Sequence, residues 1–435
     1  MEKKIFILEK AGVYMSKSKS KFHYAWLILI GLCVMVGLGK GALNNSAGLY
    51  LPPVAKDLDI GMGSLTLYLS ISSIVTLIFL PIGGKMMAKY NTRMLLTIAI
   101  ILQAGAFAAF GLMRSVWGWY ILSIPLAVGG VFITVIAGPV LINQWFKKSN
   151  GLALGIMGAA GGAVGAIAQP VVGGLIANQG WSSAYIYVGL AVIVVVVPII
   201  LLILRNSPKE KGLLPYGAAS TSAEGNPSNE EIEDKGVTMA VAKKSSAFYA
   251  LAVFFFLITA IASFSIHIPT YLTNQGYSVT FAGNIMGIYM IGVLVGALVL
   301  GFLSDKLGAK NTSLFAMVLG IISVIMFLFF AESTLIIGIA AVILGFMASS
   351  IGTLAPTLTT ALFGNKEYSQ IYATASLGLA VASIVALPVY GYVYDFTGSY
   401  TTVLYAIIGM FIVNIIAIII AFNGKKKLED QGLWK

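Results

Sequence analysis

Gly84-Lys85-Met86-Met87-Ala88-Lys89-Tyr90-Asn91-Thr92-Arg93 and Gly301-Phe302-Leu303-Ser304-Asp305-Lys306-Leu307-Gly308-Ala309-Lys310 are near-copies of each other, half a chain apart. Each is a short basic loop held between two long apolar runs. A charged loop that recurs at the same place in two hydrophobic halves marks a membrane-embedded chain built by duplication.

The rest of the composition agrees. Of 435 residues, 58% are hydrophobic and only 10% charged, with a mean hydropathy of +0.93. A soluble domain carries about 25% charged residues, so this chain has too few to cover a water-facing surface. The net charge of +11 does not point to nucleic acid, because Lys and Arg sit almost wholly in alternate loops and at the two ends. The lone Cys33 lies in an apolar run, which excludes a disulfide framework and a cysteine metal site. With two histidines besides, no metal and no cofactor is expected. Residues 1–21 are basic and lead into the first apolar run without a small-residue cleavage pattern, so no cleavable signal peptide is expected. Met15 offers a second possible start.

A helix needs about 20 apolar residues to cross the hydrocarbon. Twelve runs qualify: 24–51, 65–87, 94–113, 117–142, 152–177, 183–204, 247–272, 281–303, 312–330, 335–362, 370–393 and 401–422. The expected fold is therefore all-α and polytopic, with twelve transmembrane helices in two pseudo-symmetric six-helix bundles. The bundles span 24–204 and 247–422. Tails occupy 1–23 and 423–435, and a Ser-, Pro-, Gly- and Glu-rich linker occupies 205–246. Basic residues cluster at the N-terminus, at Lys85, Lys89 and Arg93, at Lys147 and Lys148, in the linker, at Lys306, Lys310 and Lys366, and at Lys425–Lys427; the opposite loops hold only Lys56 and Arg114. Cytoplasmic loops attract Lys and Arg, so both termini are expected in the cytoplasm. The glycines of the fifth run, from Gly151 to Gly174, are spaced for close helix packing.

The repeated loop resembles the signature between helices 2 and 3, and 8 and 9, of the major facilitator superfamily. The second copy fits throughout: glycine, three residues, Asp305, a basic residue, and Gly308 two before Lys310. The first is degenerate, with Ala88 where Asp is usual and Asn91 where Gly is usual. Gln169-Pro170-Val171-Val172-Gly173-Gly174 is similar to an antiporter motif, with Gln replacing its first Gly. Trp145-Phe146-Lys147-Lys148 followed by Gly151-Leu152-Ala153-Leu154-Gly155 resembles the oxalate/formate antiporter and monocarboxylate transporter families. So do Arg205-Asn206-Ser207-Pro208-Lys209-Glu210-Lys211-Gly212-Leu213 with Pro215-Tyr216-Gly217, and Pro388-Val389-Tyr390-Gly391-Tyr392-Val393-Tyr394-Asp395 with Thr397-Gly398-Ser399-Tyr400. The resemblance implies a carrier and not an enzyme. It also has departures: the helix-8 position where those families commonly carry a carboxylate-binding Arg is Ala297, and residues 370–393 hold no basic residue.

Deep in the spans lie one permanent charge, Lys40, and one titratable neighbour, His267. A buried charge is costly and usually faces a polar cavity. Lys40 shares a helical face with Gly37, Asn44 and Gly48. Snorkelling is the alternative: Lys40 is about 24 Å along the helix from Tyr24, in a core about 30 Å thick. Thr259, Ser263, His267 and Thr270 make a similar stripe in the seventh run, with Tyr271 beside it. Pseudo-symmetry puts the first and seventh runs across one cavity. No acid lies deep in any span, so such a cavity would favour an anion. The candidate substrate-binding set is Lys40, Asn44, His267, Tyr271, Tyr289 and Tyr372, with Tyr68 and Gln169 as further lining candidates. His267, of unperturbed pKa about 6.5, is the candidate for proton coupling.

The expected function is alternating-access transport of a small organic anion, a monocarboxylate, across a bacterial cytoplasmic membrane with proton symport. Organic-anion antiport and export of neutral or amphipathic compounds are the alternatives. Gly84, Lys89, Arg93, Gly301, Asp305, Lys306, Gly308 and Lys310 are the expected conformational gate. The partners expected are the substrate anion, protons and the lipid bilayer, with no nucleic acid and a monomeric state.

Overall fold

The computed structural model describes residues 23–147, 149–218 and 235–434. The N-terminal tail with Met15, Lys148 and the middle of the linker lie outside the described residues. Among the described residues, ten helical stretches are long and apolar enough to cross a membrane. Two of them are far too long for one passage. Asn150–Leu202 has 53 residues and Val279–Phe329 has 51, so each would be more than 75 Å long at about 1.5 Å per residue. Each breaks at one glycine: Gly180, with φ 80° and ψ 159°, and Gly308, with φ 78° and ψ 157°. Residues with a Cβ avoid this backbone conformation, and glycine adopts it freely. Reading each stretch as two passages gives twelve.

The first half comprises α1 (Tyr24–Leu58), α2 (Met62–Lys89), α3 (Thr92–Phe110), α4 (Val116–Trp145), α5 (150–179) and α6 (181–202). The second comprises α7 (Ser246–Asn274), α8 (279–307), α9 (309–329), α10 (Thr334–Phe363), α11 (Gln370–Thr397) and α12 (Thr401–Asp430). α1 begins and α12 ends at the same end of the molecule, called here the terminal face; the other end is the far face. α12 continues past the apolar run to Asp430, and Trp434 Nε1 donates to Leu362 O at 2.9 Å, so the C-terminal segment packs against its own half. The described ends of the linker are also anchored. Tyr216 bridges to Phe146 and Gly236 to Gly364, while Glu210 pairs with Arg93 at 2.8 Å.

The two halves meet along α2–α11, α5–α8 and α1–α7. The α2–α11 seam is tight because glycines face each other: a methyl at Gly391 would lie 2.7 Å from Gly63 Cα. Pro388 interrupts α11 there. Its missing N–H leaves the carbonyl of Ile384 without its helical partner, and Ser70 of α2 donates to that oxygen at 2.5 Å. At the far end, Gly61 precedes α2 with no side chain to cap it. The backbone N–H groups of Met62 and Gly63 donate instead to the two carboxylate oxygens of Asp395, each at 2.7 Å. A helix of the first half is thus capped by an acid of the second.

The same pattern recurs at the other seams. Gly173 of α5 packs on the backbone of Val279 and Gly283, and Gly48 of α1 on the backbone of Ile266. All of these junctions lie toward the far face. Toward the terminal face Gly84, Gly155, Gly158 and Gly301 have nothing within 4 Å of a methyl built on them. The halves are closed at the far face and splayed at the terminal face.

Candidate functional site

α1 is not a uniform helix. From Gly37 to Asn44 it widens into a π-helical turn, with Asn45 N donating to Lys40 O at 2.9 Å, five residues back. α4 has a second such turn at Val131–Ile136, after Pro125. π-turns cost hydrogen-bond geometry and concentrate at functional sites. Two glutamines brace the one in α1. Gln103 of α3 donates to Gly39 O at 3.0 Å and to Asn44 Oδ1 at 3.3 Å. Gln169 of α5 donates to Asn45 O at 2.6 Å. Both are fully buried, so their amides hold the α1 backbone from opposite ends of the widened turn.

That turn presents Lys40 and Asn44, both exposed. The Lys40 stem lies along Gly161 of α5, where a methyl would come 3.4 Å from its Cδ. The same side of α5 carries Gly162 and Gly165, whose neighbours Leu294 and Met290 belong to α8 of the other half. An all-apolar groove between α1 and α5, lined by Trp26, Ile30, Val34, Leu38, Ile156 and Val164, does not include Lys40. Lys40 therefore lies on the side of α1 that faces α5, next to the α5 glycines that approach α8. Among the described residues it has no ion-pair partner.

One turn further toward the far face, Asn44 borders a cavity of about 420 Å³ under the α2–α11 crossing. Its wall comes from α1, α2, α3, α4 and α11, and includes Tyr68, Phe107, Thr134, Ser383 and Leu387. The second-half candidates have packing partners of their own. His267 is fully buried. Its Nε2 lies 2.9 Å from Leu387 O and its Nδ1 2.7 Å from Tyr400 Oη. A carbonyl can only accept, so Nε2 carries the hydrogen and, in the neutral ring, Nδ1 accepts from Tyr400. Tyr271 is buried, with its hydroxyl donating to Phe327 O. Tyr289 is buried in α8. Tyr372 stacks on Tyr368 at 5.6 Å. Gln169 braces α1 and does not line the cavity; Tyr68 does line it.

The loop residues are dispersed at the terminal face. Arg93 is held by Glu210, Lys89 sits over Tyr90, Lys306 over Phe302 and Lys310 over Phe422. Asp305 is exposed and, among the described residues, has no hydrogen-bond or ion-pair partner. Gly308 makes the α8–α9 turn.

Two helical halves, a cavity at their seam and a repeated basic loop are joined by a sequence match: the profile described as Major Facilitator Superfamily fits residues 27–283 and 272–432. The chain belongs to the major facilitator superfamily. It is a membrane carrier and not an enzyme. It is 27% identical over 341 residues to the MFS-type transporter hasB of Aspergillus fumigatus, covering 74% of this chain and 71% of that one. It is 23% identical over 320 residues to the oxalate:formate antiporter of Oxalobacter formigenes, covering 71% and 69%. A bacterial homologue of the human lysosomal transporter Spinster, solved in an inward-facing, unoccupied conformation, superposes with a TM-score of 0.69 at 14% identity, over 94% of this chain and 99% of that one; this is a likeness of fold.

In a major facilitator carrier the far-face junction must open during transport. Asp395→Ala removes the cap on α2 and leaves two helix N–H groups without an acceptor. Hydrogen bonds to a charged group are worth about 1.5–3 kcal/mol, less when solvent reaches them. The expected result is about a fivefold shift toward the far-face-open state. Distances between spin labels at Lys56→Cys and Gln275→Cys, in a Cys33→Ala background, read it directly. An unchanged distance distribution would show that the cap is not a latch.

Proposed function

We propose that this carrier moves a small organic anion, a monocarboxylate, across the cytoplasmic membrane by alternating access with proton symport. The observation that carries this is Lys40: an exposed residue deep along α1, beside the α5 glycines that approach α8, with no ion-pair partner among the described residues. A cation in that position attracts an anion and repels cations. Asn44, one turn further along α1, supplies a neutral amide for hydrogen bonding. The Lys- and Arg-rich loops support a cytoplasmic terminal face, and on that reading the present conformation is inward-facing. Asp305 is then free to engage the opposite half when that face closes, at a helix N-terminus or a basic side chain.

Proton coupling is assigned to His267 through the far-face junction and not through contact with the cargo. A second proton on the ring must go to Nδ1, and Tyr400 must then turn its hydroxyl to accept. That exchange sits one hydrogen bond from Leu387 O, on the strand of contacts that closes α11 onto α2. The test is uptake of labelled carboxylates into proteoliposomes with the outside acid. The expected result is accumulation against a gradient that collapses with a protonophore, and loss of pH-driven accumulation in His267→Gln. Full pH-driven accumulation in that variant would remove the assignment. Antiport is the second reading, supported by the likeness to the oxalate:formate antiporter; preloading the vesicles with a counter-carboxylate distinguishes it, because only an exchanger needs one inside.

A further inference from the structure

We propose that the cargo is a monocarboxylate with a sizeable apolar body, a medium-chain or aromatic acid, whose carboxylate sits at Lys40 and whose body fills the cavity under the α2–α11 crossing. This rests on the anion reading above and specifies it further. Size is the first reason. At 420 Å³ the cavity lies within the roughly 300–1,000 Å³ of sites that enclose drug-sized ligands. It would hold about fourteen waters at ~30 Å³ each, so a two-carbon acid would leave most of it wet.

The chemistry of the wall is the second reason. Leu43, Phe107, Phe110 and Leu126 present hydrocarbon. The wall has hydroxyls as well, and three of them already have their hydrogens committed to backbone carbonyls. Ser73 donates to Leu69 O at 2.9 Å, Thr134 to Gly130 O at 2.8 Å and Ser383 to Ala380 O at 2.8 Å. They offer the cavity lone pairs and methyl or methylene groups. No Lys, Arg or His lines it. A second carboxylate placed there would lose its water and gain no cation, a cost of several kcal/mol that a dicarboxylate cannot recover. An apolar body meets the opposite conditions and gains by leaving water. Lys40 is about 6 Å along α1 from Asn44 at the cavity edge, which suits a charged head outside and a tail within.

The experiment is a binding series on the purified full-length carrier, by titration calorimetry. Acetate, butyrate, hexanoate, phenylacetate and oxalate are the probes, and hexanamide is the uncharged control. The expected result is a Kd that tightens about fourfold for each methylene buried, with phenylacetate near hexanoate and oxalate no tighter than acetate. Ser383→Phe should fill the cavity and flatten this dependence while acetate binding stays within twofold. Ala380→Leu serves the same purpose if the first variant does not fold. Lys40→Gln should weaken all the acids by a similar factor and leave hexanamide unchanged. A Kd independent of chain length, or oxalate bound as tightly as hexanoate, would overturn this proposal and leave the anion reading intact. If no carboxylate binds, or hexanamide binds as well as hexanoate, the anion reading falls and this one with it.

Discussion

Lys40→Gln is expected to cut carboxylate uptake by about tenfold to a hundredfold, while Lys40→Arg keeps most of it. Glutamine retains a hydrogen-bond donor and much of the stem but removes the charge. A hydrogen bond to a charged group is worth about 1.5–3 kcal/mol, and 1.4 kcal/mol is a factor of ten in binding. No other basic group lies close enough along α1 to substitute, since the nearest Lys or Arg in sequence is Lys56, sixteen residues on. Arginine restores the charge, and Gly161 of α5 beside it has no side chain to crowd the larger head. Initial rates in proteoliposomes, measured over a range of substrate concentration, separate the effect on KM from that on the turnover rate. The loss should appear mainly in KM. Equal uptake by Lys40→Gln and the unaltered chain would mean that the ammonium does not hold the cargo.

Gly391→Leu should arrest the carrier with its far face open. The reasoning is steric. A first carbon at position 391 already lies 2.7 Å from Gly63 Cα and 2.7 Å from Gly63 N, closer than any non-bonded carbon can sit. Three more carbons have nowhere to go, because Tyr392 occupies the space over Gly63 on the adjoining side. Inserting bulk into a packed interface costs about 1–3 kcal/mol when neighbours can yield, and here the neighbour is backbone. The α2–α11 seam can relieve the clash only by separating, which also breaks the Asp395 cap and the Ser70 bond to Ile384. The population of the terminal-face-open state should fall by more than tenfold, and net transport with it. The label pair at positions 56 and 275 should report one long distance with and without substrate. Transport near the unaltered rate would show that the two helices do not need to close on each other.

These two positions show what could be read in advance and what could not. Lys40 stands out in the bare sequence, because an ammonium within a long apolar run is costly wherever it points. Its direction was undecided: the same residue could snorkel to the headgroups or face a cavity, since a helical wheel assumes 3.6 residues per turn. The widened turn at Gly37–Asn44 breaks that assumption and shifts every later side chain around the axis. It depends on Gln103 and Gln169, two amides from helices remote in sequence, which no local pattern connects to α1. His267 shows the opposite case. Its stripe with Thr259, Ser263 and Thr270 resembled a cavity wall, yet the ring is packed between Leu387 and Tyr400, because polar residues on a helix also serve to bond neighbouring helices.

The sequence by itself determined that this chain lives in a membrane, that it is a duplicated all-α carrier of the major facilitator superfamily, and that one cation falls within a membrane-spanning run. Those follow from hydrophobic length, from loop charge and from a repeated motif, all of which are local and countable. Only the tertiary structure decided which face is closed, that Asp395 caps α2 across the seam, and which side chains share the cavity with Asn44. Each of these is a meeting of residues hundreds of positions apart, set by glycine-to-glycine approach and by carbonyls that proline leaves unpaired, and such meetings leave no periodic trace along the chain.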